Sequence, residues 1–290
     1  MLRHENDPGK KLIAIILCAG EGTRIKEFSG KIPKSLIKIE SKENITIIGH
    51  LVSSLIHLHF DQIGIITGYL GEKIVNYFSN DFKIDESQFD KFKYIDASKN
   101  YRKGSLYSFL AIFNHKEILN PHFIYFIFPG DTIFNPDTIQ SVINIFKKYP
   151  EIVDTYPVVF YRNIEIANLN NYFGSDCLVK PSISIADIKP LKNKPYDLLK
   201  DMKIAEIAGN SSKFSVNQII PIFIFNFKFI AELHDIEKRI SATTLREILI
   251  NLIKKGRKVL AFNLKGNNDF YDIDTIDDLN RLIQKKKNGQ

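Results

Sequence analysis

Residues 12–18, Leu-Ile-Ala-Ile-Ile-Leu-Cys, form an unbroken apolar run that ends in a glycine-bearing loop. A strand covered on both faces reads this way, because neither side needs polar residues. The run at 123–128 has the same character and stops at Pro129-Gly130-Asp131. Shorter segments at 63–67 and 92–96 predict two more strands. Between the strands the period becomes helical. Ile48, Leu51, Val52, Leu55 and Ile56 share one face within 46–60. Gly68 and Gly71 lead into a predicted helix over 71–79, and Leu106, Phe109, Leu110 and Phe113 mark another after Gly104. Asn135 caps a helix with Pro136 at its first position, where a missing N–H costs nothing. Strands alternating with helices through residue 150 predict βαβ units in an α/β fold, with a mainly parallel sheet flanked by helices.

The second half is less regular. Short β-like stretches with several Asn and Pro residues fill 151–190, and Phe and Ile at 214–225 predict a strand. Thr244 and Glu247 form a Thr-x-x-Glu capping box ahead of Leu245, Ile248, Leu249, Leu252 and Ile253. A strand at 258–264 and a helix from about Thr275 complete the series. We expect a loose arm over 1–10 and one domain over 11–290, in which about 155–240 adds a smaller, β-rich, substrate-side lobe.

A chain of 290 residues buries a full core. No apolar run reaches the length of a membrane-spanning helix, and the polar start lacks the order of a signal peptide. Two widely separated cysteines, Cys18 and Cys177, in a large chain do not suggest a disulfide framework, so a reduced cytoplasmic setting is expected. No Cys or His set has zinc-ligand spacing. The net charge of +7 is scattered along the chain apart from Arg281 and Lys285–Lys287. It suits an enzyme of anionic phosphates better than a nucleic-acid binder, which gathers its charge into a patch.

The candidate chemistry begins after the first strand, in Ala19-Gly20-Glu21-Gly22-Thr23-Arg24 and then Pro33-Lys34-Ser35-Leu36. Gly20 and Gly22 let backbone approach a ligand, and N–H groups in such a loop cradle phosphate oxygens. Arg24 offers a planar fork to a phosphate, and Lys34 a second positive charge. The dinucleotide pattern fails because position 25 is Ile, and the P-loop pattern fails because Ile32 follows Gly30-Lys31. Alone, the loop fits an ordinary βα turn equally well.

An apolar strand, then Leu17-Cys18-Ala19-Gly20-Glu21-Gly22-Thr23-Arg24, then Pro33-Lys34-Ser35-Leu36 resembles the signature of the nucleotidyltransferases. These include sugar-1-phosphate nucleotidyltransferases and the cytidylyltransferases of phosphocholine and inositol phosphate. The resemblance implies a Rossmann-like core, a divalent Mg²⁺ and release of pyrophosphate. Ala19, Gly20, Gly22, Thr23 and Arg24 would hold the nucleotide, and Lys34 would contact phosphate. Its partners would be an NTP and a small phosphorylated acceptor, with no nucleic acid and no membrane span; a homo-oligomer stays open.

Joining phosphates brings anions together, so carboxylates that hold a metal belong at strand ends near the loop. Asp131 stands there and matches the family's Gly-Asp metal position. The late segment Asp272-Ile273-Asp274-Thr275 resembles a second family element, in which Asp272 corresponds to the metal ligand and Asp274 is the alternative. Thr275, Asp277 and Asp278 read as a helix start. By resemblance Asn100, Gly104, Ser105 and Ser108 lie where the base is recognised, though a serine-capped helix start explains them equally. Lys189, with Lys180 as a competing register, resembles the lysine that meets the acceptor phosphate. The late segment leans toward cytidylyl transfer, while the loop serves sugar 1-phosphates as well. A non-catalytic nucleotide-binding module on the same fold is the alternative.

Overall fold

The computed structural model describes residues 10–25, 31–39, 45–83, 85–165, 182–206, 215–239, 241–266 and 269–287. Nearly all of the predicted arm, together with Cys177 and Lys180, lies outside them.

The two apolar runs become β1 (Lys11–Leu17) and β4 (Phe123–Pro129), neighbours in parallel register. Burial on both faces explains why neither alternates. Ala14, Ile16, Ile124, Phe126 and Phe128 pack on one face, while Ile13, Ile15, Tyr125 and Ile127 pack on the other. β2 (Gln62–Thr67) and β3 (Phe92–Asp96) extend the parallel sheet on the far side of β1. The chain therefore leaves β1 toward β2 and later crosses back to place β4 on its other side. Ligands bind outside the carboxyl ends of strands at such a switch point.

Helix α1 (Ile47–His57) is capped by Thr46 and packs beneath this face. α2 (Gly71–Asn76) is shorter than the predicted 71–79, because its backbone widens into a π-turn at Tyr77–Asp81. α3 (Ser105–Phe109) likewise tightens into a 3₁₀ stretch at Leu110–Asn114. After the short β5 (Thr132–Phe134) come α4 (Pro136–Lys148), capped by Asn135 with Pro136 at its start, and α5 (Pro150–Thr155).

Beyond β4 the sheet becomes mixed. It adds β6 (Val158–Glu165), β7 (Ser182–Lys189), β8 (Asp197–Glu206), β9 (Ser215–Asn226) and, later, β10 (Leu260–Asn263). The order is β3-β2-β1-β4-β9-β6-β10-β8-β7. β9 is the hinge of the sheet, antiparallel to both β4 and β6. α6 (Phe227–Glu237) follows β9, and α7 (Leu245–Lys254) carries the predicted Thr244–Glu247 capping box. Among the described residues no helix is long and apolar enough to cross a membrane.

A second small sheet decides where the late acidic segment goes. β11 (Phe270–Asp272) pairs antiparallel with β5, matching Asp272 to Thr132 and Phe270 to Phe134. α8 (Ile276–Lys287) follows, with Thr275 and Asp278 exchanging bonds across its first turn. Leu279 and Leu282 of α8 pack with Ile25, Ile37, Ile47, Ile133 and Ile273 in a separate apolar cluster. That cluster fixes the chain's end against the segments around the glycine loop.

Gly104 stands at the start of α3 with φ of +118°, and a Cβ there would run into the Thr243 carbonyl. Gly104→Ala combines backbone strain with a clash that neither chain can relieve without moving. It should cost roughly 1–3 kcal/mol. Urea unfolding checks this: the midpoint should fall at unchanged slope, and an unchanged midpoint would show that the two loops separate freely.

Candidate active site

A cleft of about 570 Å³ opens at the carboxyl ends of β1 and β4. Gly20, Gly22, Thr23, Arg24, Lys34 and Asp131 line it, with Asp272 and Asp274 from β11 and the turn after it. The loop after β1 is tied down at its base. Cys18 N donates to Ile66 O at 2.9 Å, and Gly130 N donates to Leu17 O at 3.0 Å. The second bond sets the Pro129-Gly130-Asp131 turn directly against the glycine loop. Gly22 has φ of +60°, and a Cβ there would press on the Lys34 side chain, whereas the space beside Gly20 is open.

Lys34 leads a single 3₁₀ turn, Lys34–Leu36, which Pro33 introduces. Its side chain is only 10% exposed. The ammonium donates to Asp131 Oδ2 at 2.7 Å and to Asp274 Oδ1 at 2.8 Å. Burial works against this charge, but the two carboxylates outweigh it and raise the Lys34 pKa above its ordinary value. Asp274 also accepts from Arg24 Nη1 at 3.0 Å. Its carboxyl is penalised by burial, yet Lys34 and then Arg24 hold its pKa below the ordinary one.

Asp272 differs. Thr132 Oγ1 donates to its Oδ1, and no salt bridge reaches it among the described residues. Protein hems in its carboxyl, although water still enters from the mouth. That crowding, together with Asp131 and Asp274, outweighs Thr132 and Lys34 and pushes its pKa up to about 7. The backbone adds a brace, because Ile273 N donates to Asp131 O at 3.2 Å.

Cys18 lines the cleft as well. Burial, and next Asp131, raise its thiol far above the ordinary value, so it is no nucleophile at neutral pH. A larger hollow of about 930 Å³ lies at the opposite end of the sheet, near Lys10, Asp61 and Asp154. Lys10 is paired there with Asp154 at 3.3 Å, and the glycine loop and its carboxylates are elsewhere. The strand-end cleft is the one that gathers the candidate residues.

A nucleotidyl transferase family model matches residues 13–288. The chain belongs to the nucleotidyl transferase family. It is 34% identical over 131 residues to the bifunctional protein GlmU of Methanococcus maripaludis, covering 45% of this chain and 27% of that protein. The aligned part thus spans about a quarter of that relative's length. It is 22% identical over 293 residues to the glucose-1-phosphate adenylyltransferase of Mycoplasma mobile, covering 96% of this chain and 69% of that protein. The crystal structure of a UDP-glucose pyrophosphorylase complexed with UDP-glucose superposes with a TM-score of 0.67 at 15% identity. That match covers 97% of this chain and 100% of that one, a likeness of fold.

Within this nucleotidyl transferase fold, the residues singled out from sequence divide in two. Gly20, Gly22, Thr23, Arg24, Lys34, Ser105, Asp131, Asp272 and Asp274 line one cleft. Ala19 lies buried behind it, where its carbonyl accepts from Tyr69 N at 3.0 Å. Asn100 is exposed in the 3₁₀ turn Ser98–Lys103, Ser108 is buried on the inner face of α3, and Lys189 is exposed at the end of β7. None of these three is among the cleft's lining residues. Sequence reasoning passed over Thr132, Pro221 and Arg246, which do line it. Only the Thr244–Glu247 cap beside Arg246 gave a local signal, and that signal spoke of helix structure.

Asp272 yields a test with a definite sign. Its ordinary pKa is 3.8 and its folded pKa about 7. Between these values the unfolded chain has released a proton that the folded chain keeps. Stability is therefore lost as pH rises through this window, and the full cost applies above it. Asp272→Asn removes the cost and keeps an acceptor for Thr132. Without divalent metal the variant should melt higher than wild type at pH 8, by roughly 1–4 °C given the water at the cleft mouth, and equally at pH 4. Melting followed by circular dichroism decides it; the same gain at both pH values would contradict the crowding.

Proposed function

We propose that this cleft transfers the NMP part of a nucleoside triphosphate to a small phosphorylated acceptor and releases pyrophosphate. Sugar 1-phosphates are the first acceptor class, because glucose 1-phosphate appears in the name of a relative matching nearly the whole chain. The observation that carries the reading is Lys34 bridging Asp131 and Asp274, with Arg24 and Asp272 alongside, at the switch point of the sheet.

The chemistry needs no nucleophile from the protein. An acceptor phosphate oxygen attacks the α-phosphorus, the α–β bridging P–O bond breaks, and its electron pair leaves on pyrophosphate. The glycine loop offers backbone N–H groups to the triphosphate, as loops of this kind do. Arg24 and Lys34 stabilise charge on the leaving group and release Asp274 as they turn to it. Ser105, at the start of α3, lies on the side expected to meet the base.

The carboxylates fit a divalent ion. Asp272 is pushed up by burial and then by Asp131 and Asp274, and no salt bridge reaches it among the described residues, so a bound cation would lower it again. Among the described residues no set of three or more metal-ligating side chains stands ready. Mg²⁺ suits that arrangement, since it takes one or two carboxylates and completes its shell with phosphate oxygens and water. Asp131 and Asp272 would hold it, because Asp274 is bonded by two cations through both its oxygens, whereas Asp131 is paired with Lys34 alone and Asp272 with none. When bound, such an ion neutralises the reacting phosphates.

The test is a matrix of NTPs against glucose 1-phosphate, N-acetylglucosamine 1-phosphate, glycerol 3-phosphate and phosphocholine, read by pyrophosphate release with Mg²⁺. One NTP–acceptor pair should turn over, with UTP and CTP as the arms that separate the sugar from the alcohol-phosphate reading. Chelating the metal should abolish the signal. Asp131→Ala should lower kcat about 10²–10³-fold, as should Lys34→Met. Turnover by Asp131→Ala at the wild-type rate would falsify the metal assignment. Nucleotide binding without turnover across the panel would favour the non-catalytic module instead.

A further inference from the structure

The cleft is lined by a second group of residues that the glycine loop does not supply. Ser105 opens α3, Pro221 lies in β9, and Thr244 and Arg246 begin α7. This corner is rigid. Leu106 N donates to Thr243 O at 3.0 Å, which ties the start of α3 to the start of α7. Glu247 is spent on the cap: its Oε2 accepts from Thr243 N at 2.7 Å, Thr243 Oγ1 at 2.9 Å and Thr244 N at 3.3 Å.

Arg246 is thereby left in a distinctive position. It is half-buried, it lines the cleft, and among the described residues it makes no salt bridge. The other two lining cations are committed, Arg24 to Asp274 and Lys34 to both Asp131 and Asp274. Glu247 feels the charge of Arg246 but is bonded into the cap, so this guanidinium, at a helix N-terminus whose dipole has the same sign, is suited to a planar two-oxygen contact with phosphate. In the nucleotidyl-transfer reading the loop cations would meet the triphosphate and Ser105 the base, whereas Arg246 enters the cleft from the start of α7. Lys189 is exposed and does not line the cleft.

We propose that Arg246 binds the phosphate of the acceptor and holds its attacking oxygen toward the α-phosphorus. This rests on the nucleotidyl-transfer reading. Arg246 exchanges no proton or electron; the new P–O bond comes from the acceptor's oxygen, and the broken one leaves with pyrophosphate. The ligand chemistry is a phosphate monoester, distinct from the triphosphate beside it.

Calorimetric titration of the full chain tests the proposal without requiring turnover. Glucose 1-phosphate, glycerol 3-phosphate and inorganic phosphate are titrated with Mg²⁺ and α,β-methylene UTP or CTP present. The nucleotide analogue is titrated separately, and melting is followed for wild type, Arg246→Gln and Arg246→Lys. Wild type should bind at least one monoester, and Arg246→Gln should weaken it about 10–100-fold while analogue affinity stays within about twofold. Arg246→Lys should recover part of the loss, with melting temperatures alike. Equal monoester affinity in wild type and Arg246→Gln would overturn the proposal. So would a parallel loss of analogue binding, a lowered melting temperature, or no monoester binding by wild type. A wild type that binds monoester through Arg246 but releases no pyrophosphate would refute the transfer reaction alone.

Discussion

The Lys34 ammonium sits where three carboxylates converge, bonded to Asp131 and Asp274 with Asp272 close by. Removing an ammonium this deeply from water is expensive unless opposite charge surrounds it. The carboxylates meet that requirement, and in return Lys34 lets Asp131 and Asp274 stand near each other as anions. Asp272 shows what happens without a direct share in the bridge, since crowding pushes its proton affinity up. Added positive charge beside Asp272 would relieve that cost, and under the proposed function a phosphate would draw Lys34 and Arg24 away.

Backbone geometry brings these charges together from opposite ends of the chain. Thr132 and Asp272 are 140 positions apart, yet they face each other across β5 and β11. Each of those strands has three residues, too few to stand alone. Their support comes from outside the ladder. The Ile133, Ile273, Leu279 and Leu282 cluster packs beneath them, and Asn135 N and Thr138 Oγ1 both donate to Asp269 O. Arg162 of β6 adds an ion pair with Asp269 at 2.8 Å and covers the Phe270 ring. The second carboxylate is therefore positioned by side chains from four separate parts of the chain.

This division explains which parts were legible in the sequence. β1 and β4 announce themselves because burial on both faces leaves an unbroken apolar run. The caps at Asn135 and Thr244 are readable because a cap is a contact within one turn. The glycine loop and Lys34 are legible because their spacing is local. The β5–β11 pairing is not, because three-residue strands carry no period and their register depends on distant packing. The antiparallel entry of β9 between β4 and β6 is hidden for the same reason. Arg246 carries no sequence signal beyond its place after a helix cap; only the fold brings that helix end to the cleft.

Counting charges where they meet alters what the chain's basic character means. The net charge of +7 suggests a surplus ready for phosphate. At the cleft, however, Arg24, Lys34 and Arg246 stand against Asp131, Asp272 and Asp274, so the lining is formally neutral. The surplus lies elsewhere and acts there only as a screened, long-range field. A triphosphate and a phosphorylated acceptor entering a neutral cleft add negative charge with little local balance. Two routes can supply it. Lys34 and Arg24 can trade their carboxylates for phosphates, which leaves the carboxylates in need of a cation, or a cation can arrive with the substrate. Under the proposed function both routes would end in the same arrangement, with a metal on the acids and the lysine and arginines on the phosphates. In the proposed reaction the salt bridges of the cleft hold each charge within reach of the partner it would exchange.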